Sequence, residues 1–211
     1  MAGPATAIHG FLVSRVDRWM VPYARSSVAW RRLSTSKTRS RAILDGYVGR
    51  VLIRPATDGD WPAIWPFFDE IVRAGETYAY AEDLESEGAR SLWMESPPGL
   101  TVVVDDDGTV IGSAKMGPNR QGRGAHVATA SFMVAPRFRG RGAGRALGEF
   151  VMQWARTAGY HAIQFNAVVE TNAAAVALWE SLGFEILATV PEAFDHPRQG
   201  LVGLHLMYQR L

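Results

Sequence analysis

The chain of 211 residues has no cysteine. Disulfides, a thiolate nucleophile and Cys-based zinc sites are therefore excluded, any catalysis must use other groups, and no metal site is expected. No stretch approaches the roughly eighteen consecutive apolar residues of a membrane span, and the N-terminus does not pair a basic segment with an apolar run and a small-residue cleavage site. Neither a membrane segment nor a secretory signal is expected, and with the missing cysteines this points to a soluble, cytoplasmic protein. Acidic residues are scarce in the first fifty positions, where Asp17 and Asp45 stand against nine Lys or Arg.

The net charge of +1 thus conceals +7 in residues 1–50 and −6 in the remainder. An acidic body argues against nucleic acid as the principal ligand, because non-specific nucleic-acid affinity rests on clustered Lys and Arg. Residues 1–50 are rich in Arg and Ser, and the polar run at 33–40 has neither a helical nor a strand period, so this extension reads as disordered. Its composition suits an organellar transit peptide or a nucleic-acid-binding arm. The alternative is that translation starts nearer the strand that opens abruptly at Val51, and that the extension does not belong to the working protein. Hydrophobic residues make up 47% of the chain, ample for one packed domain over 51–211.

Along that domain the pattern predicts a strand over 51–54, stopped by Pro55. A helix follows from near Asp60, a candidate N-cap before Trp61-Pro62, to about Arg73, with Ile64, Phe67, Phe68, Ile71 and Val72 on its inner face. A shorter helix fits 84–94. The runs 100–104 and 109–116 are joined by Asp107-Gly108, a tight-hairpin signal. A Gly-rich loop over 117–124 leads to a strand over 126–134. Then come a helix over 142–157 capped by Gly159, a strand over 161–168, a helix over 172–182 ended by Gly183, and strands over 184–190 and 201–208 joined by a loop at 191–200. The strands of 100–134 meander without crossover helices, which argues against a purely parallel sheet and for a mixed α/β domain.

The informative segment is the strand end and glycine-rich turn Val134-Ala-Pro-Arg-Phe-Arg-Gly-Arg-Gly-Ala-Gly-Arg145. Such a turn points several unpaired amides one way, with the positive end of a helix dipole behind them, and makes an anion site suited to phosphate. Gly140, Gly142 and Gly144 allow close approach and positive φ, while Arg139, Arg141 and Arg145 add charge. A P-loop would need a Gly-Lys-Ser or Gly-Lys-Thr ending, which is missing. A dinucleotide site would want an acidic residue at the end of the following strand, where this chain has Asn166. A helix entry that binds nothing remains the plain structural alternative.

The segment Asn172-Ala-Ala-Ala-Val-Ala-Leu-Trp-Glu-Ser-Leu-Gly-Phe184 adds a second signal. With the turn it resembles the two signature motifs of the GNAT acetyltransferases: Arg/Gln-x-x-Gly-x-Gly/Ala, met by Arg139, Gly142 and Gly144, and Asn-x-x-Ala-x-x-Leu-Tyr-Glu-x-x-Gly-Phe. The resemblance covers residues 51–211 and not 1–50. It implies the GNAT fold, a mixed, mostly antiparallel central sheet splayed between its fourth and fifth strands and flanked by four helices. It also implies acetyl-CoA as cosubstrate. Phe132, Met133 and Val134 would pair their backbone with the pantetheine arm, Arg139, Gly140, Arg141, Gly142, Ala143 and Gly144 would hold the pyrophosphate, and Asn172 would contact pantetheine. The departure is Trp179, where many relatives carry a tyrosine thought to protonate the leaving thiolate. Indole is no usable acid, but a thiol pKa of about 8.5 makes the thiolate a tolerable leaving group. Activity is expected with no acid at 179, and Tyr160 and Tyr208 are remote alternatives.

Within the family, residues 165–172 resemble the phosphinothricin and proline-analogue (azetidine-2-carboxylate) N-acetyltransferases, in which an asparagine six residues before the pantetheine asparagine helps hold the substrate. Asn166 matches it. Thr129 stands where such relatives often have a further asparagine, which speaks against a proline-like substrate and leaves Thr129 as a substrate contact. The implied function is direct transfer to the primary or secondary amine of a small, amino-acid-like molecule. The alternatives are an acetyl-CoA-binding regulatory module without turnover, or acetylation of protein N-termini or lysines. The attacking amine must be neutral, which at pH 7 costs about 1 kcal/mol for a peptide α-amine and about 4.6 kcal/mol for lysine. Glu76 in the Gly75-Glu-Thr-Tyr78 loop, His126 and Glu170 are the candidate bases, and Glu76, with Asn166, is the favoured catalytic residue and substrate ligand. Each has a plain reading: a solvated loop charge, a strand-start histidine, a helix cap, a strand-end amide. The segment 191–200, with Phe194, Asp195, His196 and Arg198, either covers the substrate or forms the contact of a homodimer.

Overall fold

The structure, a computed structural model, describes residues 51–211, so the disorder expected for residues 1–50 lies outside the described residues. Seven strands and four α-helices follow in the predicted order. They are β1 (Val51–Pro55), α1 (Trp61–Arg73), α2 (Ser86–Trp93), β2 (Leu100–Asp106), β3 (Thr109–Pro118), β4 (Val127–Val134), α3 (Ala143–Ala158), β5 (Ala162–Val169), α4 (Ala173–Ser181), β6 (Glu185–His196) and β7 (Gly200–Arg210). One sheet holds all the strands in the order β1-β2-β3-β4-β5-β7-β6. Neighbours are antiparallel except β4 and β5, which run parallel.

The sheet is covered on both faces, and strand alternation assigns each side chain to its side. Val102 and Val104 of β2 join Leu147, Val151 and Trp154 of α3 in one core cluster. Val103, between them, joins Ile64, Phe67, Phe68 and Ile71 of α1 and Trp93 of α2 in the other. The β2–β3 hairpin turns at Asp107 (φ 48°) and Gly108 (φ 87°), the two positive φ values that a two-residue turn matched to strand twist requires. Ser113, fully buried on β3, accepts from the Trp93 indole Nε1–H at 2.9 Å and donates to the Val102 carbonyl at 2.8 Å. That hydroxyl pins α2 to the sheet.

Asp60 is the N-cap residue of α1, as expected, but its side chain makes no capping bond to the helix. Its carboxylate turns back to accept two hydrogen bonds from Arg54, at 2.7 and 2.9 Å, and one each from the Thr57 N–H and hydroxyl. Arg54 also donates to Asp105 at 3.1 Å, so one guanidinium ties β1, β2 and the entry to α1. The Arg54 hydrogen bonds, helped by Thr57 and opposed by burial, hold the Asp60 carboxyl well below the usual carboxylate range.

The expected loop at 191–200 is mostly strand. β6 runs to His196 and, after an irregularity between Val190 and Phe194, pairs again through Phe194–Val202 and His196–Gly200. Pro191 reads as a strand breaker in sequence, but β6 is the edge strand, where a missing N–H need cost no ladder bond. Among the described residues no helix is long and apolar enough to cross a membrane.

Two substitutions test this framework by urea denaturation. Ser113→Ala orphans the buried Trp93 N–H and should lower stability by about 1–3 kcal/mol. Asp60→Asn should cost about 2 kcal/mol at neutral pH. Because the folded carboxyl is depressed, its contribution is complete above the unfolded value near pH 4 and is lost as pH falls through the folded value. The deficit of Asp60→Asn should therefore shrink on acidification.

Candidate functional site

The site begins where the sheet opens. β4 and β5 pair only through Val127–Ala162 and Ala128–Ile163, after which β5 continues along β7. On the other side β4 is bonded to β3 along its whole length. The terminal bonds, Ala135 N–H to the Ile111 carbonyl and Asn119 N–H to the Val127 carbonyl, fix the phase of that ladder. Odd-numbered residues of β4 bond to β3, so the peptide groups of Ala130, Phe132 and Val134 face the opening.

A cavity of about 990 Å³ fills the opening. At one end lies the glycine-rich turn. After a 3-10 turn at Pro136–Phe138, Gly140 (φ 75°) and Gly142 (φ 84°) bend the chain into α3, whose N-cap Gly142 has no capping side chain. The first-turn amides of a sixteen-residue helix are thus left for an anion. Arg139, Gly140, Gly142, Ala143 and Gly144 line the cavity. Arg141 does not; its guanidinium lies over the Phe138 ring, 5.3 Å from the centroid. Arg145 is held by Ser181 at 2.7 Å and by Glu149 at 3.8 Å.

Phe132, Phe165 and Trp179 form an aromatic floor, with Trp179 centred 4.6 Å from Phe132 and 5.0 Å from Phe165. Asn172 caps α4 by accepting from the Ala175 N–H at 3.2 Å, which leaves its amide NH₂ as the donor toward the cavity it lines. Met133, Val134 and Thr129 line the wall of β4.

The far end has opposed charges. Glu76, from the loop between α1 and α2, is ion-paired with Arg198, from the β6–β7 turn. Phe194 and His196 line the same end, and His196, although 5% exposed, uses Nδ1 to accept the Arg198 N–H. The buried Thr77 hydroxyl beside Glu76 has no hydrogen-bond partner among the described residues.

Of the three candidate bases, Glu76 alone lines the cavity. Glu170 accepts from the Gly203 N–H, and His126 Nδ1 lies 3.1 Å from the Arg123 carbonyl. Asn166 lines the cavity beside an irregularity in the β5–β7 ladder. Its amide is engaged at both ends, accepting from Gln164 and donating to Asn119 at 2.7 Å each. Tyr160 packs on Trp154 away from the cavity. The residue that sequence reasoning missed is Tyr78, whose hydroxyl donates to the Phe132 carbonyl at 2.8 Å and accepts its N–H at 3.0 Å. Burial, above all, pushes its phenol well above the ordinary range. The alternation Tyr78-Ala-Tyr80 in a strandless loop was its only local signal. Among the described residues no group of three or more His, Asp or Glu side chains could hold a metal ion.

Residues 61–184 match the model of the acetyltransferase (GNAT) family. The structure of a GCN5-related N-acetyltransferase from Kribbella flavida is 62% identical, with a TM-score of 0.75 over 76% of this chain and 98% of that one. That of yncA from Salmonella typhimurium, solved with its cofactor acetyl-CoA, is 26% identical, with a TM-score of 0.65 over 76% of this chain and 94% of that one. The N-acetyltransferase aca1 of Schizosaccharomyces pombe is 31% identical over 98 residues, 46% of this chain and 47% of the relative, so the chain spans about half of that protein. The chain belongs to the acetyltransferase (GNAT) family.

Proposed function

We propose that residues 51–211 are an N-acetyltransferase that moves an acetyl group from acetyl-CoA to the amine of a small, amino-acid-like molecule. The observation that carries this reading is a single cavity that joins an open strand edge and an uncapped helix N-terminus at one end to opposed charges at the other. Bound acetyl-CoA would supply an acyl group already activated as a thioester. The amides from Gly140 to Gly144, with Arg139, suit its pyrophosphate, and the peptides of Phe132 and Val134 that face the opening, the first of them bonded to Tyr78, suit an amide-bearing arm that adds to β4 as a strand would. The Asn172 NH₂ is a further donor along that path. Arg141, off the cavity wall, contributes charge rather than contact.

At the far end, Arg198 suits a substrate carboxylate and Glu76 an ammonium, each replacing half of their mutual ion pair. Glu76 takes one proton from the bound ammonium, the neutral amine so formed attacks the thioester carbonyl, and the second amine proton leaves to water or the departing CoA thiolate as the adduct collapses to the amide. The Thr77 hydroxyl offers a polar contact that no other described residue uses. Thr129 is a second contact, and a role for Asn166 requires exchanging its bond to Gln164 or Asn119 for one to the substrate.

Thiol release from acetyl-CoA by the full chain, screened across free amino acids, their carboxyl-amidated forms, proline analogues, phosphinothricin-like compounds and short peptides, tests this reading. Free amino acids should exceed their amidated forms by about tenfold or more in kcat/KM, the worth of one charge-assisted contact. Arg198→Gln should erase that preference. Release with peptides alone would move the activity to protein amines, and acetyl-CoA binding without release for any amine would favour a regulatory module.

A further inference from the structure

The opening between β4 and β5 is not simply empty at its centre. Tyr78 reaches in from the α1–α2 loop, and its single hydroxyl both donates to the Phe132 carbonyl and accepts the Phe132 N–H. These are the two bonds a neighbouring strand would make with that peptide. The ring is held in place by stacking on Tyr80, centroids 5.3 Å apart, and by an edge contact with Trp93 at 6.2 Å. A neutral phenol can donate and accept at once. The hydroxyl therefore satisfies a peptide that the parted sheet would otherwise leave without partners.

Any extended ligand that adds to β4 must pair with this same peptide, the middle one of the three that face the opening. It cannot do so while the Tyr78 hydroxyl is there, because Phe132 offers one N–H. We infer that Tyr78 is the stopper of the opening: it occupies the Phe132 peptide in the free protein and gives it up when the arm of an acyl-CoA enters. The inference rests on the acyl-CoA reading of the cavity and adds a cost to it. Binding breaks two hydrogen bonds before it makes its own, so the apparent affinity is reduced by the fraction of molecules in which Tyr78 is already withdrawn. The loop that must give way also carries Glu76, two residues earlier, so withdrawal begins beside the amine end of the cavity.

Titration calorimetry of the full chain and of Tyr78→Phe, with CoA and with 3′-phospho-ADP, tests the exchange. The second probe has the pyrophosphate but no arm. Tyr78→Phe keeps the stacked ring and removes the hydroxyl. It should bind CoA about 5- to 150-fold more tightly than the unsubstituted chain, the worth of two net hydrogen bonds, and 3′-phospho-ADP with unchanged affinity. Equal or weaker CoA binding by Tyr78→Phe, with CoA still bound by the unsubstituted chain, overturns the stopper and leaves the acyl-CoA reading standing. Binding of neither probe overturns both. A measurement on the unsubstituted chain guards against a variant that does not fold: the Tyr78 ring resonances should shift with CoA and not with 3′-phospho-ADP, and rings indifferent to CoA at saturation would refute the exchange.

Discussion

A sheet that parts two of its inner strands must find other partners for the peptide groups along the break, since a buried N–H or C=O left unpaired costs about 1–3 kcal/mol. The site is built around that constraint. β3 cannot serve the peptides on that side because it bonds the opposite side of β4, and β5 does not because it follows β7 away. Three peptides of β4 therefore face a cavity rather than a strand. One is served by a side chain from 54 residues away, and the rest form an edge that runs directly into the amides of the glycine-rich turn. Edge and turn offer hydrogen-bond donors in one continuous line. This is why a ligand with both a phosphate group and an extended amide chain suits the cavity better than a compact nucleotide would.

What keeps the break open is packing elsewhere. α3 is anchored by Leu147, Val151 and Trp154 on one face of the sheet, which fixes where its N-terminus points. On the other face Trp93, hydrogen-bonded to Ser113, meets Tyr78 edge-on, and Phe68 carries the stacked Tyr80 ring. The Arg54–Asp60–Asp105 cluster sets the start of α1 against β1 and β2, and α1 ends at the loop that carries Glu76 and Tyr78. The polar groups at the mouth are thus positioned by apolar contacts on two separate faces.

Much of this was legible in the sequence because its signals are local. Asp107-Gly108, Gly159 and Gly183 mark turns and helix ends by a backbone conformation that can be read at a single position, and the inner face of α1 follows from spacing alone. The glycines of the turn marked an uncapped helix entry for the same reason, with positive φ at Gly140 and Gly142. What the sequence withheld depends on partners distant in the chain. Pro191 argues for a loop until the topology makes β6 an edge. Arg141 sits within a phosphate motif, yet its guanidinium lies over Phe138. Asn166 looks available until Gln164 and Asn119 are seen to engage it. Tyr78 has no motif at all, because its importance comes from a peptide on another strand.

Trp179 shows how such a partner changes the meaning of a substitution. Against the family motif it reads as the loss of an acid, but in the fold it is a packing residue, 6% exposed and in contact with Phe132, Phe165 and Phe184. Facing it on α3 is Gly148, where a Cβ would lie 2.6 Å from the Leu182 side chain and 3.1 Å from the indole ring. Glycine inside a helix is unfavourable by about 1 kcal/mol relative to alanine, and here it admits Leu182 and the indole ring together. The chemistry lost with a tyrosine is small by comparison with what the scaffold retains. Releasing a thiolate with an intrinsic pKa near 8.5 at pH 7 forgoes about 2 kcal/mol of protonation free energy. The open peptide edge, the anion turn and the opposed charges of Glu76 and Arg198 do not depend on which aromatic ring stands at 179. On the proposed reading, exchanging an acid for a ring that fills the floor is therefore expected to alter the leaving step only modestly.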